Sequence, residues 1–159
     1  MAWSASHIFR QWLGDSLTRT STPNYGTDVP KVALYNNTIT PDENVTAANS
    51  AYNVAQWATA QEVFQAGQWA QGGVALAGTS GTTHFNDTAD ALWYDANDTA
   101  SGTAATLASV FGCLVYDDTL TTPVADQGMF FAYFGGTQSV TSGQFTVVWS
   151  ANGLFRITV

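Results

Sequence analysis

Charge is what this sequence has least of. Only 10% of its 159 residues are Asp, Glu, Lys or Arg, against about a quarter in an ordinary soluble domain. The basic side is nearly empty, with Arg10, Arg19, Lys31 and Arg156 facing twelve carboxylates for a net charge of −8. Without a stripe of Lys and Arg to displace counterions from phosphate, nucleic acid is not an expected partner. One cysteine, Cys113, rules out an intramolecular disulfide. It lies inside an apolar run and reads as a small buried hydrophobe rather than a reactive thiol or metal ligand.

Bases are scarce as well. The two histidines, His7 and His84, are widely separated, and no G-x-S-x-G nucleophile elbow accompanies either. The only lysine stands in Pro30-Lys31-Val32, so the Gly-Lys ending of a phosphate-binding loop is missing. An enzyme would have to rest on His84 or on a carboxylate such as Asp117, and the expectation is a non-enzymatic protein with no cofactor. Asp95-Ala96-Asn97-Asp98 alternates oxygen ligands as a calcium loop does, but it lacks the sixth-position glycine and the closing glutamate. It reads as a solvated acidic loop. Asp117-Asp118 reads as turn chemistry at a strand end. The amino terminus has no continuous apolar stretch of leader type, and no run reaches transmembrane length, so no membrane partner is expected. Four N-x-Thr sequons begin at Asn36, Asn44, Asn86 and Asn97, which an Asn- and Thr-rich chain produces without glycosylation.

What the chain does have is apolar and aromatic content, 45% and 13% respectively. That is enough for one domain with a full core. Its loops are rich in Gly, Thr, Ala and Asn, and a neutral polar surface suits packing against neighbours. The charge is also uneven. Residues 1–31 carry one net positive charge, while the remainder carries −9. An arm able to dock on an acidic partner is one reading of that asymmetry.

The carboxy-terminal third is the clearest in its patterning. Ser109–Tyr116, Gly128–Phe134, Gly143–Trp149 and Leu154–Val159 are strand-length runs dominated by β-branched and aromatic residues, with Gly, Asn, Asp or Pro between them. Asn152-Gly153 predicts a tight hairpin joining the last two. Phe145, Val147 and Trp149 share one face of their strand, because side chains alternate. Further strands are expected at Lys31–Tyr35, Val74–Leu76, His84-Phe85 and Ala91–Tyr94. Gly72-Gly73 is the turn before Val74, Pro41 suits the start of a short helix, and residues 44–61 have room for a helical turn or two. The predicted fold is mainly β, an antiparallel β-sandwich or jelly-roll-like barrel, with a short N-terminal helix or arm.

The expected division is an arm and linker over residues 1–30 and a β-sandwich over 31–159. Within the arm, Ile8, Trp12 and Leu13 fall at helical spacing with Phe9 beside them, and the helix is expected to end near Gly14. Trp3, Ile8, Phe9, Arg10 and Trp12 are therefore candidates for an interface with a neighbouring chain. Trp57 and Trp69 lie in loop-like sequence and are candidates for an exposed aromatic platform or a subunit contact. Trp93 and Trp149 read as core anchors in strands.

Lys31-Val-Ala-Leu-Tyr-Asn-Asn-Thr38, Gly72-Gly-Val-Ala-Leu76 and Cys113-Leu-Val-Tyr-Asp-Asp118 occur in that order. With Phe134-Gly-Gly136 and the ending Gly143-Gln-Phe-Thr-Val-Val-Trp149…Asn152-Gly-Leu-Phe-Arg-Ile-Thr158, they resemble a group of small virion proteins of tailed bacteriophages. The resemblance covers most of the chain from Lys31 onward, and Ala2–Phe9 also fits it. Its motifs are structural, with glycines for turns and aromatics for core, and it brings no catalytic residues. It implies a virion structural subunit, made in the host cytoplasm. Capsid decoration on the outer head shell is the favoured role, with the major capsid protein and copies of itself as partners, in a homo-oligomer such as a trimer. The alternative it implies is a minor tail or fibre protein that contacts the host surface or its glycans.

Overall fold

The computed structural model describes residues 3–21, 23–24, 27–78, 86–87, 91–94, 96–150 and 153–158, with backbone alone at 86–87, 91–93 and 156–158. In chain order the elements are β1 (His7–Ile8), α1 (Arg10–Thr18), β2 (Lys31–Tyr35), α2 (Ala47–Ser50) and β3 (Val74–Ala75). There follow β4 (Asn86–Asp87), β5 (Ala91–Tyr94), β6 (Thr99–Ala100), β7 (Ala105–Tyr116), β8 (Gly128–Gly143), β9 (Thr146–Val147) and β10 (Phe155–Thr158). Two single 3₁₀ turns, Ala55–Trp57 and Thr59–Gln61, follow α2. The fold is mainly β, and all of these pairings are antiparallel.

The β7–β8 hairpin is the spine. A five-stranded sheet runs in the order β1-β8-β7-β2-β3, and smaller sheets, β10-β5-β4 and β6-β9, complete the sandwich-like packing. From Gly112 to Tyr116, β7 is buried at every position, as is all of β2 after Lys31. Both faces of this part of the sheet are covered, which is why these stretches are continuously apolar rather than alternating. Nearer its start β7 alternates, with Ala105, Leu107 and Val110 buried between exposed neighbours. The register slips repeatedly along the hairpin, and Ser109 and Ser142 adopt φ of 57° and 50°. Such bulges bend and twist a ribbon.

The core is aromatic, and Trp57 is its hub. Its ring lies 5.2 Å from Tyr35, 5.8 Å from Phe131, 5.9 Å from Trp3 and 6.0 Å from Phe9, mostly edge to face. Such aromatic pairs add about 0.5–1.5 kcal/mol each beyond the area they bury. The Tyr35 hydroxyl donates to the Trp57 carbonyl at 2.7 Å, and Trp69 Nε1 donates to the Val32 carbonyl at 3.2 Å. Trp57 and Trp69 are completely buried. The loop-like sequence around them therefore encodes core residues on irregular backbone, and the expectation of an exposed platform is overturned.

The amino-terminal segment is part of the same core. His7 and Ile8 pair with Phe131 and Phe130, and the Phe9 amide donates to the Met129 carbonyl at 3.0 Å. Trp3, Phe9 and Trp12 are all buried. Two glycines on the hairpin make room for them. A Cβ at Gly112 would stand 2.5 Å from the Trp3 ring, and one at Gly128 would stand 2.7 Å from the Phe9 ring. Trp3 Nε1 also donates to the Asn36 carbonyl at 2.8 Å. A boundary at residue 30 thus separates no independent unit. Of the arm residues expected at an interface, Trp3, Phe9 and Trp12 serve the chain's own core, Ile8 is half-buried against it, and only Arg10 faces solvent, near Glu43 at 3.9 Å.

Other expectations shift in detail. Helix α1 continues through Gly14 to Thr18 and closes at Arg19 in the left-handed conformation. Its buried Asp15 accepts from Gln127 Nε2 at 2.8 Å, a contact that sequence spacing does not reveal. The short helix begins at Ala47, capped by Thr46, rather than at Pro41. The last two strands do not pair with each other, since β9 pairs with β6 and β10 with β5. Phe145 packs 6.0 Å from Trp69, whereas Phe155 packs 5.5 Å from Trp12 and 5.6 Å from Tyr94. Burying these rings in two separate places outweighs the local turn signal of Asn152-Gly153, whose asparagine lies outside the described residues. His84-Phe85 and Asp95 also lie outside them, as does the side chain of Trp93.

Candidate functional site

Two features of the surface stand out from the residues upward. The first is a ribbon whose own strands carry no charged residue. No Asp, Glu, Lys, Arg or His occurs from Gln127 to Phe155, nor from Thr99 to Tyr116. The fold gathers these two stretches into β6, β7, β8 and β9. The exposed side chains of the outer ribbon are Thr106, Ala108 and Ser109 on β7 and Thr137, Gln138, Ser139, Thr141 and Ser142 on β8. Val148, just beyond β9, is 72% exposed. Next to it a shallow groove of about 320 Å³ is lined by Phe134, Gln138, Phe145 and Val147. Among the described residues, β1 covers the outer edge of β8 only at Phe130 and Phe131. Past Tyr133, whose amide donates to Ser6 Oγ at 2.9 Å, β8 has β7 on one side and no strand on the other among the described residues. An uncovered strand edge is a template for pairing with another chain.

The second feature is a polar cleft of about 540 Å³ at the opposite end of the sheet, where β2 begins and β7 ends. Lys31 and Asp118 form its ion pair at 2.6 Å. Tyr52 and Tyr116 stack with ring centres 4.8 Å apart and planes 9° from parallel. Beneath them the buried Glu62 accepts from the Tyr52 hydroxyl and from the Gly72 amide, each at 2.8 Å. The Tyr116 hydroxyl donates to the Gly72 carbonyl at 2.6 Å. The Gly72-Gly73 turn is shaped for this approach. Gly73 has φ +88°, and a Cβ there would run into the Val32 carbonyl. Burial raises the Glu62 carboxyl above its ordinary range, against the pull of its two hydrogen bonds. Asp126, on the cleft wall, is raised by burial and by Asp118, with Lys31 opposing.

A third cluster is internal. Asp117, which reads from the sequence as turn chemistry at a strand end, is completely buried. Its Oδ1 accepts from the Thr119 amide at 3.0 Å, while Oδ2 has no hydrogen-bond partner. Burial pushes this carboxyl up to about 6 from 3.8; hydrogen bonds from Thr119 and Leu120 hold it back, and the charge of Asp28 adds to the rise. Burial also pushes the Cys113 thiol up to about 12, consistent with a small hydrophobe. Asp98 Oδ1 accepts from the Trp149 amide at 3.0 Å, just past the end of β9. Trp149 itself is half-buried, with Nε1 donating to Thr99 at 3.1 Å. Among the described residues no group of three or more His, Cys, Asp or Glu side chains is placed to hold a metal ion, and no helix is long and apolar enough to cross a membrane.

The cleft was not visible in the sequence. Lys31, Tyr52, Glu62, Gly72, Tyr116 and Asp126 come from separate segments, and only Gly72-Gly73 carries a local signal. The uncharged face was legible as composition, but its gathering onto one ribbon was not. No protein-family model, no curated protein and no solved structure matches this chain.

Proposed function

We propose that the chain is a non-enzymatic structural subunit of a tailed-bacteriophage virion, a capsid decoration protein that binds the outer head shell and stabilises it. The observation that carries this reading is the uncharged β6–β9 face with the open edge of β8. A chain of net charge −8 repels copies of itself and other acidic surfaces over most of its exterior. These strands add no charge of their own to that repulsion, and their hydroxyl side chains and Val148 are exposed for contact. Most of the motifs that resemble phage virion proteins fall on β2, β3, β7 and β8, the framework that displays the face. Symmetric pairing or a trimer along β8 would also protect the edge.

Quantitative mass spectrometry of purified virions tests the assignment. A copy number comparable to that of the major capsid protein supports shell decoration. A few copies per particle moves the protein to the tail or a fibre, and absence from virions refutes the structural reading.

A further inference from the structure

The polar cleft is built from five segments of chain, and nothing in the decoration reading uses it. Its volume of about 540 Å³ falls within the range of small-molecule sites. Its walls are held in place before any ligand arrives. Tyr52 and Tyr116 are pinned through Glu62 and Gly72, Lys31 is pinned by Asp118, and Asn53 Oδ1 accepts from the Thr59 hydroxyl at 3.2 Å. Fixing such groups in advance removes part of the ordering cost of binding. Burying the Glu62 carboxylate is itself costly, and its two hydrogen bonds serve to position the tyrosine and the glycine turn on the cleft wall.

The chemistry of the walls selects the ligand. The single ammonium is already paired, and Asp126 leaves the rim negative, so anions are disfavoured. A polar lining disfavours apolar molecules. What remains on offer are amide and hydroxyl groups from Asn53, Thr59 and Gln71, which both donate and accept, together with the half-buried ring of Tyr52. Sugar hydroxyls likewise both donate and accept, and the C–H face of a pyranose ring suits an aromatic wall. We infer that this cleft binds a neutral saccharide. The inference is independent of where in a virion the protein is placed.

The test is a two-dimensional amide NMR titration of the full chain with glucose, galactose, N-acetylglucosamine and maltose, with spermidine and sialic acid as charged comparators. At least one neutral sugar is expected to shift the amides of Asn53, Gln71, Gly72 and Asp118. Its affinity should fall about tenfold in Gln71→Ala and in Thr59→Ala, each of which removes a group offered to the sugar. Gln138→Ala, on the uncharged face, should leave it unchanged, and each variant's own spectrum reports its folding. The inference is overturned if no neutral sugar shifts those amides, if spermidine or sialic acid alone does so, or if both cleft variants bind as the parent does.

Discussion

Replacing Asp117 with Asn should stabilise the protein, and by an amount that grows with pH. The carboxyl is buried and its pKa lies at about 6 instead of 3.8. Because the folded state holds this proton more tightly than the unfolded chain, folding is least penalised below the unfolded pKa. The penalty develops as pH rises through the window between the two values and is complete above the folded one. A shift of that size corresponds to about 3 kcal/mol at pH 8 and roughly 1.6 kcal/mol at pH 5. The Asn side chain keeps an oxygen for the Thr119 amide. Its own NH₂ group adds a cost that does not vary with pH. The deciding quantity is therefore the change in the stability gap between variant and parent, which should widen by about 1.4 kcal/mol from pH 5 to pH 8. Urea unfolding followed by tryptophan fluorescence at several pH values measures it, staying above the sequence pI of about 4.1 to avoid precipitation. A gap that is constant across that range would refute the claim that Asp117 is buried as a strained carboxylate.

Three further outcomes follow from the packing. Deleting residues 1–18 removes Trp3, Phe9 and Trp12 from the core and should leave a chain without a cooperative thermal transition; a folded truncation would show that the segment is dispensable. Gly112→Ala forces a Cβ against the Trp3 ring and the backbone of β8, so it should cost about 1–3 kcal/mol in chemical denaturation. Placing charge on the uncharged face, as Gln138→Glu with Thr141→Glu, should leave the melting temperature nearly unchanged while abolishing self-association in analytical ultracentrifugation and binding to heads that lack the protein.

The loop-like tryptophans show how far local reading reaches. A continuous apolar run bounded by turn residues identifies β2 with its exact ends, because those signals all lie within a few residues. Ser109–Tyr116 and Gly128–Phe134 are likewise legible, although β7 begins earlier, at Ala105, and β8 continues to Gly143 across Gly135, Gly136, Ser139 and Ser142, which favour strands little. There the partner strand and the bulges supply what the residues do not. Trp57 and Trp69 had no periodic neighbours, so nothing in their vicinity announced burial. They became core because Tyr35, Phe131 and Phe145 converge on them from distant segments.

By itself, the sequence determined the class of fold, the scarcity of charge, the inert cysteine and the position of most strands. Each of these depends on composition or on neighbours within a few residues. Tertiary structure alone decided that the amino-terminal segment is core rather than a free arm, that the last two strands part company, and that Asp117 is buried. It also decided that Lys31, Tyr52, Glu62 and Tyr116 share one cleft. Those outcomes depend on which distant surfaces meet, and on glycines such as Gly112 and Gly128, whose missing side chains matter only once an aromatic ring occupies the space.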